Sequence, residues 1–208
     1  MEHGDYLDIL RQIGAIREGH FIGTSGRHLP AYINKDKLYQ FPEHLDNFAQ
    51  GLTERILDHS INTELVLAPA YGAIGLGLLV SLQLGQHRQT EVEFAFTSGD
   101  LELRPTFLDL ISRKRVLIVD DVLTTGQTIQ TLAEKVEAKG GNVVGAAVLV
   151  KRSSEKQPPK LKINPLIALL EIGMKDWSKE ECPLCQAGVS IQTDLGHGAK
   201  AARNPIGL

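Results

Sequence analysis

The run Arg115-Val116-Leu117-Ile118-Val119-Asp120-Asp121-Val122-Leu123-Thr124-Thr125-Gly126-Gln127-Thr128 constrains the fold of this chain more than any other stretch. A β-branched apolar segment ends in two adjacent carboxylates, a hydroxyl-rich loop turns around one glycine, and an amphipathic helix begins. That order places an acid pair at the carboxyl end of a buried strand. It also gathers backbone N–H and hydroxyl donors at a helix N-terminus, where anions bind. Carboxylates can accept hydrogen bonds from a diol while the donors hold a phosphate, so the combination suits a phosphorylated sugar. A strand ending in Asp-Asp only because a turn follows would explain the acids, but not hydroxyls and glycine in that order.

Around this motif, strands and helices alternate. Helical spacing of Leu7, Ile9, Leu10, Ile13 and Ile16 predicts an opening helix from Asp5 to Ile16. Gly19 to Lys35 reads as short strands and turns outside the main sheet. Pro42 to His59 reads as an amphipathic helix with proline in its first turn. Strands are expected at Glu64 to Ala68, Val92 to Phe96, Arg115 to Val119, Val143 to Val150 and Leu166 to Leu170. Helices are expected at Ile74 to Leu84 and Thr128 to Ala138, the latter closed by Gly140-Gly141. Strands without period-two alternation, separated by helices, imply an α/β fold with a mainly parallel central sheet flanked by helices. Ligands of such sheets sit beyond the carboxyl ends of the strands. Pro69 to Gly75, Thr97 to Arg104 and Asp120 to Thr128 all fall there, so one site should form from the three.

We expect a single domain over residues 1–192, including a small N-terminal hood over about residues 1–40, and a flexible tail over 193–208 rich in glycine and alanine. Lys156 to Lys160, with Pro158-Pro159, reads as a surface turn. With 42% apolar and 23% charged residues the composition is that of a globular protein, and a formal charge of −3 argues against a general nucleic-acid binder. The longest apolar stretch, Ala73 to Leu84, is interrupted by polar residues and glycine and is too short to span a bilayer. The N-terminus lacks the pattern of a secretory signal, and two cysteines are no disulfide framework. A cytoplasmic location with no membrane partner is expected.

The acid pair and the Thr-Thr-Gly-x-Thr loop resemble the 5-phosphoribosyl-1-pyrophosphate (PRPP) motif of type I phosphoribosyltransferases. The resemblance implies that Asp120 and Asp121 hold the ribose hydroxyls, organise Mg²⁺ through water, and steady the carbocation-like ribosyl group as pyrophosphate leaves. Val122 and Leu123 would bind PRPP, and Thr124, Thr125, Gly126, Gln127 and Thr128 would hold its 5′-phosphate, with Gly126 allowing close backbone approach. Ala68-Pro69-Ala70-Tyr71-Gly72-Ala73 is similar to the family's pyrophosphate loop, usually Pro-Ala-x-Gly-Gly, so Ala70, Tyr71 and Gly72 would meet pyrophosphate. On its own that segment could equally be a tight strand–helix turn.

Two further segments narrow the family. Gly19-His20-Phe21-Ile22-Gly23-Thr24-Ser25-Gly26-Arg27-His28, with Tyr32-Ile33-Asn34-Lys35, is similar to the opening of orotate phosphoribosyltransferases, where it forms a hood over the base. Trp177 to Gly188 recurs in one branch of those enzymes, so the resemblance runs from about Ile13 to Gly188. It implies magnesium-dependent phosphoribosyl transfer from PRPP to orotate by a homodimer. Arg152 stands where the family's base-binding arginine falls, although Lys151-Arg152 replaces the usual Asp-Arg. A guanidinium can grip a planar carboxylate with two hydrogen bonds. A solvated basic strand end is the plainer reading. Thr124 is the second expected orotate contact.

The largest departure lies at Phe96 to Arg104. Related enzymes carry a mobile loop rich in lysine and arginine there, which closes over the neighbouring subunit's site. This chain offers two acids and one cation, Arg104, which becomes the expected catalytic charge for the leaving pyrophosphate. Arg113, Lys114 and Arg115 precede a buried strand and should face away. The poor loop leaves two other readings open: transfer to another base, or a regulatory protein that binds PRPP or a nucleotide without turnover.

Cys182-x-x-Cys185 is half of a zinc pattern without a second cysteine pair. His197 or a partner chain could complete it, or the pair could be redox active. Two packed or inert thiols are the plainer reading. His20, His28 and His197 read first as surface or hydrogen-bonded histidines, with His28 favoured as functional because it lies in the hood.

Overall fold

The computed structural model describes residues 3–23, 25–153 and 161–195. Thr24, the expected surface turn at Lys156 to Lys160, His197 and the tail from residue 196 lie outside the described residues. After α1 (His3–Gln12) comes an antiparallel hairpin, β1 (Ile16–Ile22) and β2 (His28–Ile33), followed by a 3₁₀ turn over Lys35–Gln40. The main body then runs α2 (Pro42–Asp58), β3 (Leu65–Ala68), α3 (Ile74–Arg88), β4 (Glu93–Phe96), α4 (Leu108–Ile111), β5 (Arg115–Leu123), α5 (Gln127–Ala138), β6 (Asn142–Ser153), β7 (Leu166–Gly173) and α6 (Pro183–Gln186).

Strands β3 to β7 form one sheet in the order β4-β3-β5-β6-β7, and every pairing is parallel. Both faces are covered, which is why the strands lack alternation. Leu117 and Val119 of β5 face a core shared with Leu10, Phe48, Leu52, Leu76 and Val80. Ile118, the residue between them, packs against Ile129 and Leu132 of α5, and Val116 packs with Leu65, Ile111 and Val136. From β3 the chain proceeds outward to β4, whereas from β5 it proceeds the other way to β6. The loops after β3 and β5 therefore diverge from a switch point, and a crevice opens between them at the carboxyl rim.

Strands β6 and β7 each run three residues past the expected end, to Ser153 and Gly173, and three boundaries differ by four residues. The opening helix stops at Gln12, because Gly14 takes a left-handed turn (φ +71°) that sends Ile16 into β1. Strand β5 continues past Val119 through both aspartates to Leu123, paired with β6 by residues such as Asp120 with Val148 and Val122 with Val150. Helix α3 runs on to Arg88, where Gln89 closes it in a left-handed conformation. The short helical turns at Lys35–Gln40 and Leu108–Ile111 were not anticipated.

Candidate active site

Successive residues of a strand point to opposite faces, so the adjacent acids of β5 serve two cavities. Asp120 lies against the loop of residues 122–129, where a cleft of about 30 Å³ remains. Asp121 borders a larger cavity of about 240 Å³ beneath the hairpin. Both carboxylates are buried and turn one oxygen onto the backbone ahead: Asp120 accepts from the N–H of Asp121 at 2.8 Å, and Asp121 accepts from that of Val122 at 2.6 Å. Burial, reinforced by the negative charge of Asp121, pushes Asp120 up to about 7.

The counter-charge comes from a residue not anticipated in the site. Lys35 Nζ lies 2.5 Å from Asp121 Oδ2. Burial works against the ammonium, yet the nearby charge of Asp121 and their hydrogen bond leave its pKa raised. Lys35 opens the 3₁₀ turn whose fifth residue, Tyr39, donates its hydroxyl to the Gly72 carbonyl. Burial, followed by the charge of Asp121, holds that phenol protonated well above its ordinary range. One short turn thus ties the acid pair to the loop after β3.

That loop is packed tightly enough to require glycine. A Cβ on Gly72 would collide with Lys35 Nζ and Asp121 Oδ2, and one on Gly75 would come within 2.8 Å of the Tyr39 ring. Ala73, the departure from the usual second glycine, is buried and precedes the first turn of α3. The N–H of Ala70 donates to Thr97 Oγ1 at 3.0 Å, the Ala70–Tyr71 peptide is cis, and the Tyr71 ring is exposed. Ala70, Tyr71 and Gly72 therefore stand at the rim beside the acid pair, as the loop's place in the sequence implied.

In the loop after β5, Gly126 adopts φ +83° immediately before α5. A side chain there would also strike Leu161 at 2.7 Å. Gln127, Thr128 and Ile129 of the first turn of α5 line the cleft, and the Gln127 N–H donates to Thr125 Oγ1 at 3.4 Å; first-turn N–H groups have no carbonyl partner within the helix and are suited to a phosphate. Thr124 and Arg152 meet where the sequence suggested: both line the 240 Å³ cavity with Asp121, Lys35 and Tyr32 of the hood. Burial depresses Arg152, opposed by Asp176 and Tyr32, while Lys151 turns to Glu171 at 3.0 Å.

Arg104 stands apart from both cavities. Its guanidinium sits 4.8 Å over the Phe96 ring. The preceding loop is closed by a bridge between Thr97 and Leu103 and a hydrogen bond from Ser98 N–H to the Glu102 carbonyl. Lys135 of α5 grips it, at 3.0 Å from the Leu101 carbonyl and 2.5 Å from Glu102. Lys114 and Arg115 pair with Glu93 and Glu64 at the opposite end of the strands, as expected. A further cavity of about 770 Å³ between α3 and β4 is not lined by either acid and is bordered by exposed Leu78 and Leu82.

This crevice, with carboxylates on the strand, anion-binding amides on the loops and a hood above, is the site of a sugar-phosphate transferase fold. The family model of the phosphoribosyl transferase domain matches residues 35–168, and the chain belongs to that family. Within it, the chain is 32% identical over 192 residues to the orotate phosphoribosyltransferase of Caldanaerobacter subterraneus subsp. tengcongensis, covering 92% of this chain and 96% of that one. The orotate phosphoribosyltransferase of Chlorobium phaeobacteroides is 32% identical over 206 residues, covering 99% and 100%. A crystal structure of orotate phosphoribosyltransferase from Francisella tularensis shares the fold, with TM-score 0.63 and 19% identity over 80% of this chain and 82% of that one.

Proposed function

We propose that this protein transfers the phosphoribosyl group of PRPP to orotate, forming orotidine 5′-phosphate and pyrophosphate, as a cytoplasmic homodimer built from a single domain. The observation that carries the reading is the joining of Asp121, Thr124 and Arg152 around one cavity beside the phosphate-type loop. Two relatives at 32% identity, covered over 96% and 100% of their length, are orotate enzymes, and the match to the second spans 99% of this chain.

In this reading the ribose hydroxyls donate to Asp120 and Asp121, and the 5′-phosphate takes the amides and hydroxyls of 124–128. Pyrophosphate lies against Ala70, Tyr71 and Gly72, and the orotate carboxylate faces Arg152. Adjacent carboxylates bordering a cavity are hard oxygen donors of the kind that hold hydrated magnesium together with substrate phosphates. Bound magnesium would neutralise charge on the departing pyrophosphate. The protein's share is positioning and charge stabilisation, with no covalent intermediate on the chain. Lys35 supplies a cation at the acid pair that the loop after β4 lacks. Exposed Leu78 and Leu82 along the β4 edge offer the dimer an apolar face. Free thiols at Cys182 and Cys185 suit a reducing compartment. Among the described residues no helix is long and apolar enough to cross a membrane.

One observation favours a second reading. The loop after β4 is pinned to α5 through Lys135, and its cation is spent on an aromatic ring. Such a loop suits a protein that binds PRPP without turnover, or one with another base. Pyrophosphate release with PRPP, Mg²⁺ and a panel of bases tests all three. Release with orotate alone supports the proposal, release with a purine or uracil redirects it, and PRPP binding without any product rejects it.

A further inference from the structure

The structure assigns a second, structural metal site, a Cys₂His₂ zinc centre formed by His20, His28, Cys182 and Cys185, which bolts the C-terminal segment to the hood. One ligand atom from each of the four residues lies within 4.8 Å of all the others, and three of the residues are buried. Cys182 Sγ is 3.6 Å from His20 Nε2, and Cys185 Sγ is 3.8 Å from the same atom and 3.3 Å from His28 Nδ1. A tetrahedral zinc with ordinary Zn–N and Zn–S bonds separates nitrogen from sulfur by about 3.6 Å, so these spacings bracket the required value. The two ring nitrogens stand 2.7 Å apart. Zinc would part them by about half an ångström, a small ring movement.

The surroundings are built for the same role. His20 Nδ1 lies 2.7 Å from the Val189 carbonyl, so donation there leaves Nε2 bare and aimed at the sulfurs. A backbone carbonyl on the far nitrogen is the usual means of orienting a metal-bound histidine. Cys182 is fully buried at the start of α6, and the Cys-x-x-Cys spacing brings both thiols to one side of a tight turn. Binding would release a proton from each thiol, and two thiolates then cancel the charge of the ion, which lets the centre sit in a buried place. All four positions are filled by the chain, leaving none for a reacting water.

The four ligands come from two distant parts of the sequence that the rest of the structure also fastens together. His28 exchanges both backbone hydrogen bonds with Trp177, the Gln192 N–H donates to the His20 carbonyl at 2.8 Å, and Arg27 pairs with Asp176 at 2.6 Å. The bolted hairpin roofs the cavity that holds Arg152 and Thr124. The inert-thiol reading of the cysteines fails to account for two histidines aimed at them.

Elemental analysis tests this directly on full-length protein purified under reducing conditions, without chelator or histidine tag. About one zinc per chain is expected, falling below about a tenth in Cys182→Ser and Cys185→Ser and unchanged in His59→Asn, an exposed histidine elsewhere. Because a cysteine variant could simply fail to fold, the wild type stripped of metal is also titrated with cobalt. Thiolate charge-transfer bands and the intense visible bands of a tetrahedral ion support the site. Wild-type protein that carries no zinc and takes up neither ion, or cysteine variants that keep a full complement of zinc, would overturn it. So would a Cys182–Cys185 disulfide in protein isolated from the cytoplasm.

Discussion

Gly72→Ala adds one methyl group to the most crowded point of the crevice. The Gly72 backbone has no left-handed conformation to lose, so the effect is steric. The new Cβ would overlap Lys35 Nζ and Asp121 Oδ2, with Lys35 Cε at 3.0 Å. Asp121 cannot yield easily, since it stands on a central strand with one oxygen on the Val122 amide. Lys35 can yield, because its side chain is 35% exposed and has a path to solvent. Overpacking costs typically about 1–3 kcal/mol. A partly exposed ion pair adds at most about 1 kcal/mol. With relief through Lys35, we expect a net loss near 1–2 kcal/mol, or roughly 3–6 °C in Tm for a chain of this size. Activity should suffer far more. Displacing the pyrophosphate loop or the carboxylate by about 1 Å costs on the order of 100-fold in kcat/KM for PRPP. Thermal melts and steady-state kinetics on the same preparation separate the two. The same substitution in a Lys35→Ala background should cost about 1 kcal/mol less in stability, because the ammonium no longer has to move. Gly72→Ala with unchanged Tm and kcat/KM within threefold of wild type would refute the seating of this loop on the Lys35–Asp121 pair.

Other consequences are tested separately. Asp120, held near 7 by burial and then by Asp121, keeps its proton in the native state where an unfolded aspartate at about 4 has lost it. Its contribution to stability is therefore present in acid and declines as pH rises through about 7, while its ability to accept the ribose hydroxyls grows over the upper part of that window. In the proposed reading, PRPP binding measured without Mg²⁺ should therefore tighten as pH rises through about 7. Asp120→Asn should retain only the slope due to the substrate phosphates; a wild-type profile identical to that of the variant would reject the assignment. Asp121→Asn keeps the shape of the side chain and should lower turnover by about 100- to 1000-fold with a near-native melt; wild-type turnover would remove the acid pair from the reaction. Arg152→Ala should raise KM for orotate at least tenfold more than KM for PRPP, the cost of a lost bidentate ionic contact being about 1.5–3 kcal/mol. Equal effects on both constants would exclude Arg152 as the base contact.

What the sequence revealed and what it hid divide along a physical line. The acid pair, the hydroxyl loop and the helix after it are contiguous, and the strand that carries them is buried on both faces, so residue order alone implied their geometry. The Pro69 to Gly75 loop was recognisable for the same reason. Lys35 and Tyr39 were invisible as site residues because their partners, Asp121 and Gly72, lie 86 and 33 positions away, and only the packing of the hood turn against the rim joins them. His20 and Cys182 are 162 positions apart, and neither periodicity nor spacing within either segment announces the other. A weak signal did exist in each case: a lysine directly after the hood strands, and a half-complete Cys-x-x-Cys in a chain with two histidines eight residues apart.

These missed contacts come from the hairpin or from the 3₁₀ turn that follows it. A two-stranded sheet has too little apolar surface to fix its own position, and this one is held through Phe21, Leu29 and Met174, the Trp177 bridge, the Arg27–Asp176 pair and the cysteine–histidine cluster. In the proposed reading, the sugar-phosphate half of the crevice is set by chain-local geometry on the sheet, and the base half by long-range fastening. Substitutions in the fastenings should change the Michaelis constant for the base while sparing that for PRPP. Cys185→Ser, with no atom in either cavity, is the cleanest case: loss of base affinity together with bound metal would connect the centre to the hood, whereas loss of metal at unchanged base affinity would confine its role to stability.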